Sequence, residues 1–470
     1  MKTLLQFISI LLLCSGTYAQ ITFIPAIIDN TQPTANAANT VTTGDFDGDG
    51  DIDLVGGAFQ SDYFSIYFND GSGNFLRNTI DSGATADGAR FATSFDLDED
   101  GDLDVLATSS VADAYLWYEN DGSGLFIVHV IDSSPLSEEA YTIGAADFDD
   151  DGDMDVVGGA NNGDKLVIYA NDGSENFSLF AELSVGDNRT NGVRVAKVSD
   201  LDEDGDPDIV VAAFVGDTYS WYENDGSGIF TAHTIDDSPN ADGATALDIG
   251  DLDGDGDQDI AAGSNNANQY LWYENDGNEN FTAKIIDNTS SYSIGPRGLS
   301  LVDLEQDGDL DIITAAVTSD AFAWYENDGS GNFTGDIIST DLTYSNGAFA
   351  ITSADMDGDL VDDIVVAANI SDAFSWFKTE GVIILGNETG ILESVAFYPN
   401  PVSDMLRIVI PATLEVNRIS VYDQLGKLLW NTDGNVTREA VIDMSVFASG
   451  MYAVQIESSE GNSTKKVIKQ

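Results

Sequence analysis

Apolar and polar residues alternate in short segments along most of this chain, the period expected of strands with one face buried. The stretch from Phe91 to Ile131 shows the scheme. Residues 91–95, 105–108, 115–118 and 126–131 predict four strands. An acidic loop joins the first pair, and Asn120-Asp121-Gly122-Ser123-Gly124 joins the last pair as a hairpin turn. The 3.6-residue apolar spacing that a helical solenoid needs is absent.

The scheme repeats seven times. A motif D-x-D-x-D-G-D-x-D begins at Asp45, Asp96, Asp147, Asp200, Asp251, Asp303 and, in altered form, Asp355, at intervals of 51, 51, 53, 51, 52 and 52 residues. A second motif follows at a fixed offset, as Trp117-Tyr118-Glu119-Asn120-Asp121-Gly122 and again from Trp221, Trp272 and Trp324, with looser copies from Ile66, Ile168 and Trp376. Four strands in about 50 residues is the arithmetic of a propeller blade. Repeat seven stops near Phe377, before its last turn and fourth strand, while residues 22–30 match the fourth strand of repeat five, residues 281–288. The predicted fold is therefore all-β: a seven-bladed β-propeller closed by an N-terminal strand, followed by a small β-sandwich. Closure removes the sheet edges that invite aggregation.

Composition changes the picture in one respect. The 470 residues carry 17 Lys plus Arg against 82 Asp plus Glu, a formal net charge of −65. Such a balance suits a disordered chain, but 43% hydrophobic and 10% aromatic residues supply a core. The charge repels phosphate backbones and anionic lipid, which excludes nucleic acid as a partner. No apolar run after the N-terminus reaches the roughly 18 residues a membrane span needs, so direct membrane insertion is excluded too. Residues 1–19 read as a signal peptide, with Lys2, an apolar stretch from Leu4 to Leu13 and a Thr17-Tyr18-Ala19 cleavage site. Cys14 is the one cysteine and falls inside it, so the mature chain has neither disulfide nor catalytic thiol.

The loops hold 38 of the 82 acidic residues. Alternate carboxylates around a glycine turn make a set of hard oxygen ligands suited to Ca²⁺. Positions one, three, five and nine are expected to give side-chain oxygens and position seven its carbonyl. The candidates are Asp45, Asp47, Asp49, Asp51 and Asp53; Asp96, Asp98, Asp100, Asp102 and Asp104; Asp147, Asp149, Asp151, Asp153 and Asp155; and Asp200, Asp202, Asp204, Asp206 and Asp208. They continue with Asp251, Asp253, Asp255, Asp257 and Asp259; Asp303, Glu305, Asp307, Asp309 and Asp311; and Asp355, Asp357, Asp359 and Asp363. Loop six has the longer Glu305 at position three, and loop seven lacks glycine at position six. Up to seven structural calcium ions are expected.

With the loops followed by Leu54-Val55-Gly56-Gly57-Ala58 and Val156-Val157-Gly158-Gly159-Ala160, residues 21 to 380 resemble the FG-GAP (VCBS-like) repeats of integrin α-subunit propellers and bacterial surface proteins. The resemblance implies calcium loops on the lower face and ligands more often on the upper one. It is silent on the ligand, because the fold hosts many functions.

After Gly386 the charge relaxes: residues 387–470 hold seven Lys plus Arg and ten Asp plus Glu. Alternation predicts strands at 406–410, 418–422, 427–430, 440–443 and 451–457. The motifs Phe397-Tyr398-Pro399-Asn400-Pro401-Val402, Val421-Tyr422-Asp423-Gln424-Leu425-Gly426, Ser449-Gly450-Met451-Tyr452 and Lys465-Lys466-Val467-Ile468-Lys469 resemble the C-terminal sorting domain of the Bacteroidetes type IX secretion system. That resemblance implies the secretion machinery as a partner and a secreted or cell-surface destination. The expected organisation is a signal peptide over 1–19, the propeller over 20–386, a linker over 387–393 and the sorting domain over 394–470.

Catalytic signals are sparse. His129 and His233 share one place in the fourth strand, where repeat five has Lys284, and a position repeated around a ring is architecture. The tryptophan column alternates with Ile66 and Ile168, which points to packing between blades. Arg90, Arg194 and Arg297 each lie six residues before their first loop Asp, where the other repeats have Asn39, Tyr141, Thr245 and Phe349. They form either ion pairs with loop carboxylates or a cationic ring for an anionic glycan or carboxylated ligand. Loops 81–89, 132–142, 184–193, 236–245, 287–298 and 339–348 are the other upper-face candidates. The expected role is non-catalytic recognition of a glycan or protein; the alternatives are a polysaccharide lyase or hydrolase, marked by unlike polar residues at one mouth, and a passive scaffold.

Overall fold

The computed structural model describes residues 21–380, apart from Glu175, Ser184, Val185 and Asp187, and most of residues 396–469. The signal segment and the linker, with Pro399-Asn400-Pro401, Asp423-Gln424-Leu425-Gly426 and Ser449 of the sorting motifs, lie outside the described residues.

Each of the first six repeats is a four-stranded antiparallel sheet with its strands in chain order. Repeat two runs Ala89–Phe95, Asp104–Ser109, Ala114–Asn120 and Phe126–Asp132, within two residues of the boundaries read from alternation. Burial falls from the second strand to the fourth. Asp104–Ser109 is buried throughout and therefore reads as a continuous apolar run, while Phe126–Asp132 is largely exposed. The innermost strands neighbour one another around the ring, and the strand Ala348–Ala354 of blade seven meets Ala38–Gly44 of blade one.

Blade seven is completed from the far end of the chain. Thr22–Asp29 pairs antiparallel with Ala373–Glu380, from Thr22 opposite Glu380 to Asp29 opposite Phe374. The exchange extends to side chains. The Tyr118 hydroxyl donates to Asp81 at 3.0 Å and that of Tyr169 to Asp132 at 2.8 Å, each acid closing the fourth strand of the preceding blade. Tyr67 of blade one donates in the same way to Asp29 at 2.9 Å. The N-terminal strand thus reproduces a fourth strand down to its last carboxylate.

An aromatic pair recurs at the seams: Phe64–Tyr118, Tyr115–Tyr169, Tyr219–Tyr273, Tyr270–Tyr325 and Phe322–Phe377, and Tyr67–Phe374 where the ring closes, with centroids 5.5 to 6.3 Å apart. Between blades three and four the equivalent residues, Leu166 and Tyr222, lie in one buried cluster. Trp117, Trp221 and Trp272 are 1% exposed, and Trp324 and Trp376 are also buried, so the tryptophan column is core.

In the C-terminal region Ala396–Tyr398, Met405–Val409 and Glu439–Asp443 form one sheet, and Leu428–Val436, Val416–Tyr422, Gly450–Ser458 and Gly461–Lys469 form another. Leu406, Ile408, Ile419, Ile442, Val454 and Val467 share one buried core, which makes a sandwich. Ala396–Tyr398 and Gly461–Lys469 add two strands to the five expected. The last was obscured by its lysines, although it pairs along the whole of Gly450–Ser458.

Candidate functional site

The acidic loops fold by local rules. In six of them glycine occupies position six with φ between 95° and 104°, a left-handed turn with nothing near the missing Cβ. Asp45 at position one accepts N–H bonds from Asp49 at 3.1 Å and Gly50 at 3.0 Å, and Asp147 and Asp303 do the same in their loops. The carboxylates are thereby gathered. One oxygen each of Asp45, Asp47 and Asp53 lies within 4.8 Å of the others, as in Asp96, Asp98 and Asp100, and in Asp147, Asp149 and Asp155. Asp200, Asp202 and Asp208, and Asp251, Asp253 and Asp255, form the same group.

Position nine has a second use beside its place in these groups. Asp53 is fully buried, accepts from Asn69 N at 2.8 Å and from Phe46 N at 3.1 Å, and so clamps the loop to the third strand. Asp104, Asp155, Asp208, Asp259, Asp311 and Asp363 repeat this arrangement. Any metal would take what lone pairs remain. Burial, opposed by these bonds, pushes Asp53, Asp208, Asp259 and Asp363 up to about 7 and Asp104 and Asp155 up to about 6.

The residues fit a cation on an independent observation. One buried carboxylate oxygen of each of Asp96, Asp149, Asp200, Asp253 and Asp357 has no hydrogen-bond partner. An acceptor left so inside a cluster of like charges is costly, and a cation answers both faults. FG-GAP repeats commonly bind calcium, and the oxygen donors match it.

Each loop is tied to its neighbours. A Cβ on Gly122, which has φ 74°, would overlap the Asp102 carboxylate at position seven, so the hairpin glycine lies directly on the loop. The Asn120 side-chain amide donates to Leu103 O in its own loop at 2.9 Å and to Phe46 O in the loop of blade one at 2.8 Å. Asn327 bridges Leu310 O and Leu252 O likewise, and Asn69 bridges Ile52 O and Met356 O across the closure.

Loop seven stands apart. Its position six is Leu360 at φ 71°, a strained conformation for a side-chain-bearing residue. Lys378 reaches into the loop, where its ammonium pairs with Asp357 and, at 2.9 Å, with Asp359. It takes the place that Glu119, Glu223, Glu274 and Glu326 hold in blades two, four, five and six. The sequence reading overlooked this column, though one basic residue among glutamates was its signal. His129 and His233 contact Glu119 and Glu223 at 2.7 Å and stack on Trp117 and Trp221, while Lys284 pairs with Glu274 over Trp272. These are cross-strand architecture.

At the opposite end of the inner strands, all seven column residues line one cavity of about 200 Å³ in the channel: Asn39, Arg90, Tyr141, Arg194, Thr245, Arg297 and Phe349. The arginines do not pair with loop carboxylates. Their guanidinium carbons sit over aromatic rings, Arg90 4.0 Å from Tyr141, Arg194 3.3 Å from Phe214 and Arg297 4.2 Å from Phe349. Arg194 and Arg297 donate to Thr245 Oγ1 at 3.3 and 3.0 Å, and Arg297 also donates to the Tyr141 hydroxyl. Burial lowers Arg194 to about 9 and Arg297 to about 10, with repulsion from Arg297 adding to the effect on Arg194.

Of the six upper loops, five carry a short helical turn: Ala84–Ala86, Pro135–Ser137, Asn188–Thr190, Pro239–Ala241 and Leu342–Ser345. Three of them start from a side-chain cap: Ser134 accepts from Leu136 N, Ser238 from Asn240 N and Asp341 from Thr343 N.

Comparison with known proteins follows the same division of the chain. An FG-GAP-like repeat matches residues 45–107, 96–158, 147–211, 200–262, 251–314 and 303–366, and a secretion system C-terminal sorting domain matches 396–470. No curated protein matches the sequence. Among solved structures the chain is similar to BBS1N in its complex with ARL6DN, with TM-score 0.51 and 12% identity over 78% of this chain and 98% of that one. It is also similar to a Lactobacillus plantarum protein (TM-score 0.47, 14% identity, 63% and 83% covered) and to the periplasmic gluconolactonase PpgL of Pseudomonas aeruginosa (0.45, 15%, 64% and 84%). At such identities the likeness extends to the fold alone. With matched repeats running from the first acidic loop into blade seven and an export module after them, the chain belongs to the FG-GAP-like repeat proteins and is a secreted or cell-surface propeller that uses the type IX secretion machinery.

Proposed function

We propose that this propeller is a calcium-stabilised recognition module that holds a glycan or protein ligand at the upper mouth of its ring. Six loops take calcium in this reading, with Lys378 serving as the cation of the seventh. The observation that carries it is the contrast between the two faces. The lower face repeats one device around the ring, whereas the seven column residues at the mouth include five residue types. A rigid repeating scaffold with variation confined to one end is the usual build of a binding surface. The test is a broad glycan array probed with the whole chain in millimolar calcium, with a chelator control. Calcium-dependent retention on a defined glycan class is expected; no retention by folded protein would move the ligand to the protein class.

The same mouth gives the enzyme reading one specific support. The Tyr141 hydroxyl, a group able to act as a general acid or base, is held by Arg297 beside two further guanidiniums. Elimination from a uronate would need a base and a neutralised carboxylate. Ultraviolet absorbance of an unsaturated product from retained uronate polymers checks it.

A further inference from the structure

Four lysines lie in the ring and each has a carboxylate partner: Lys165 with Glu182, Lys197 with Asp248, Lys284 with Glu274, and Lys378 with Asp357 and Asp359. In a chain with 82 acidic residues that is the expected fate of a cation. The three arginines of the mouth form no such contact pair, and the acid that acts on Arg90 and Arg194, Glu139, does so without one. Among the described residues, no carboxylate lies within ion-pairing distance of Arg90, Arg194 or Arg297. Instead they crowd one cavity of about 200 Å³. Asn39 and Thr245, in the same column, are neutral where an aspartate would have balanced the charge.

Their donors are only partly used, by Thr245 and Tyr141. Stacking on Tyr141, Phe214 and Phe349 occupies the guanidinium faces and leaves the N–H edges. Arg90 gives no hydrogen bond to a protein acceptor among the described residues, and the buried Nε of Arg194 has no partner. Several desolvated donors of one sign, held rigidly by aromatic rings, complement a planar or tetrahedral oxyanion, which accepts at more than one oxygen. The cavity is smaller than the roughly 300 Å³ at which ordinary ligand pockets begin, so it suits one anionic group rather than a length of polymer.

We infer that the channel mouth binds a single carboxylate or sulfate group among Arg90, Arg194 and Arg297, either as a free small anion or as the end of an acidic saccharide. The inference deepens the recognition reading, and the two fail separately. A ligand held by the rim loops would survive substitution of the arginines, and a channel anion would bind whether or not any polymer is retained on an array.

The experiment is titration calorimetry of the whole chain in millimolar calcium with sodium sulfate, with glucuronic acid and with a short polygalacturonate. One anion per chain is expected, weakened roughly tenfold or more in Arg194→Gln and Arg297→Gln, since each removes a charge-assisted hydrogen bond. Binding of the small anions alone assigns the site to a free anion; binding of the oligomer as well assigns it to a saccharide end. Should a variant misfold, crystals of the unaltered protein soaked in selenate give an anomalous peak among the three guanidiniums. Absence of both heat and peak in the unaltered protein, or undiminished binding in a folded variant, overturns the inference.

Discussion

At the scale of single residues, the spacing of carboxylates was readable because an acidic loop is a local object. Its carboxylates lie within nine consecutive positions, and the glycine at position six declares the turn. What could not be read is which oxygen each aspartate has to spare. Position nine reads as a ligand in the sequence, and in loop one its oxygens also accept from the backbone N–H groups of Asn69 and Phe46. That use depends on a strand sixteen residues away. Gly122 makes a related point. Its φ of 74° and its place on Asp102 forbid a side chain, so Gly122→Ala costs on the order of 1–3 kcal/mol. Thermal unfolding in calcium checks this, and Gly101→Ala serves as a comparison with no neighbour near its Cβ but the same backbone penalty.

At the scale of the loop, charge and protonation are linked. Burial raises the clamp aspartates to about 6 or 7 in the cation-free fold. An acid raised on folding binds more protons in the native state than in the unfolded one. Native stability from these groups is therefore highest below an unfolded value of about 4 and declines as pH rises towards about 7. In chelator the melting temperature is expected to fall over that interval. In millimolar calcium the decline flattens, because binding displaces the protons and strengthens as they leave. Scanning calorimetry at several pH values with and without chelator checks this, and identical slopes would count against a cation in the loops. Loop seven supplies an internal contrast. Lys378→Gln exposes Asp357 and Asp359 to each other, so it lowers stability in chelator and gains calcium dependence relative to the unaltered chain. The sequence showed that loop seven was irregular; the remedy lay on another strand and was invisible to a motif.

At the scale of the whole molecule, the blade count and closure were legible because repetition is a global signal that survives local uncertainty. The missing strand could be matched by its Ile-Asp ending before any pairing was known. Deleting residues 22–29 is expected to leave Ala373–Glu380 as a free edge and Tyr67 without Asp29. Size-exclusion chromatography should then show association through that edge, with a lowered melting temperature. The arginine ring was legible as a column but not as a cage, because the aromatic partners of each arginine come from other strands or blades. The antiparallel pairing of Thr22 with Glu380 has a mechanical side as well. The chain enters and leaves the ring at one corner, so in the recognition role proposed above, tension between the C-terminal module and a captured ligand would fall first on blade seven. A pull along Ala373–Glu380 loads its hydrogen bonds to Thr22–Asp29 and to Asp363–Ala368 together. Under such tension the N-terminal strand would act as a latch, and its eight residues would set the load that the ring bears.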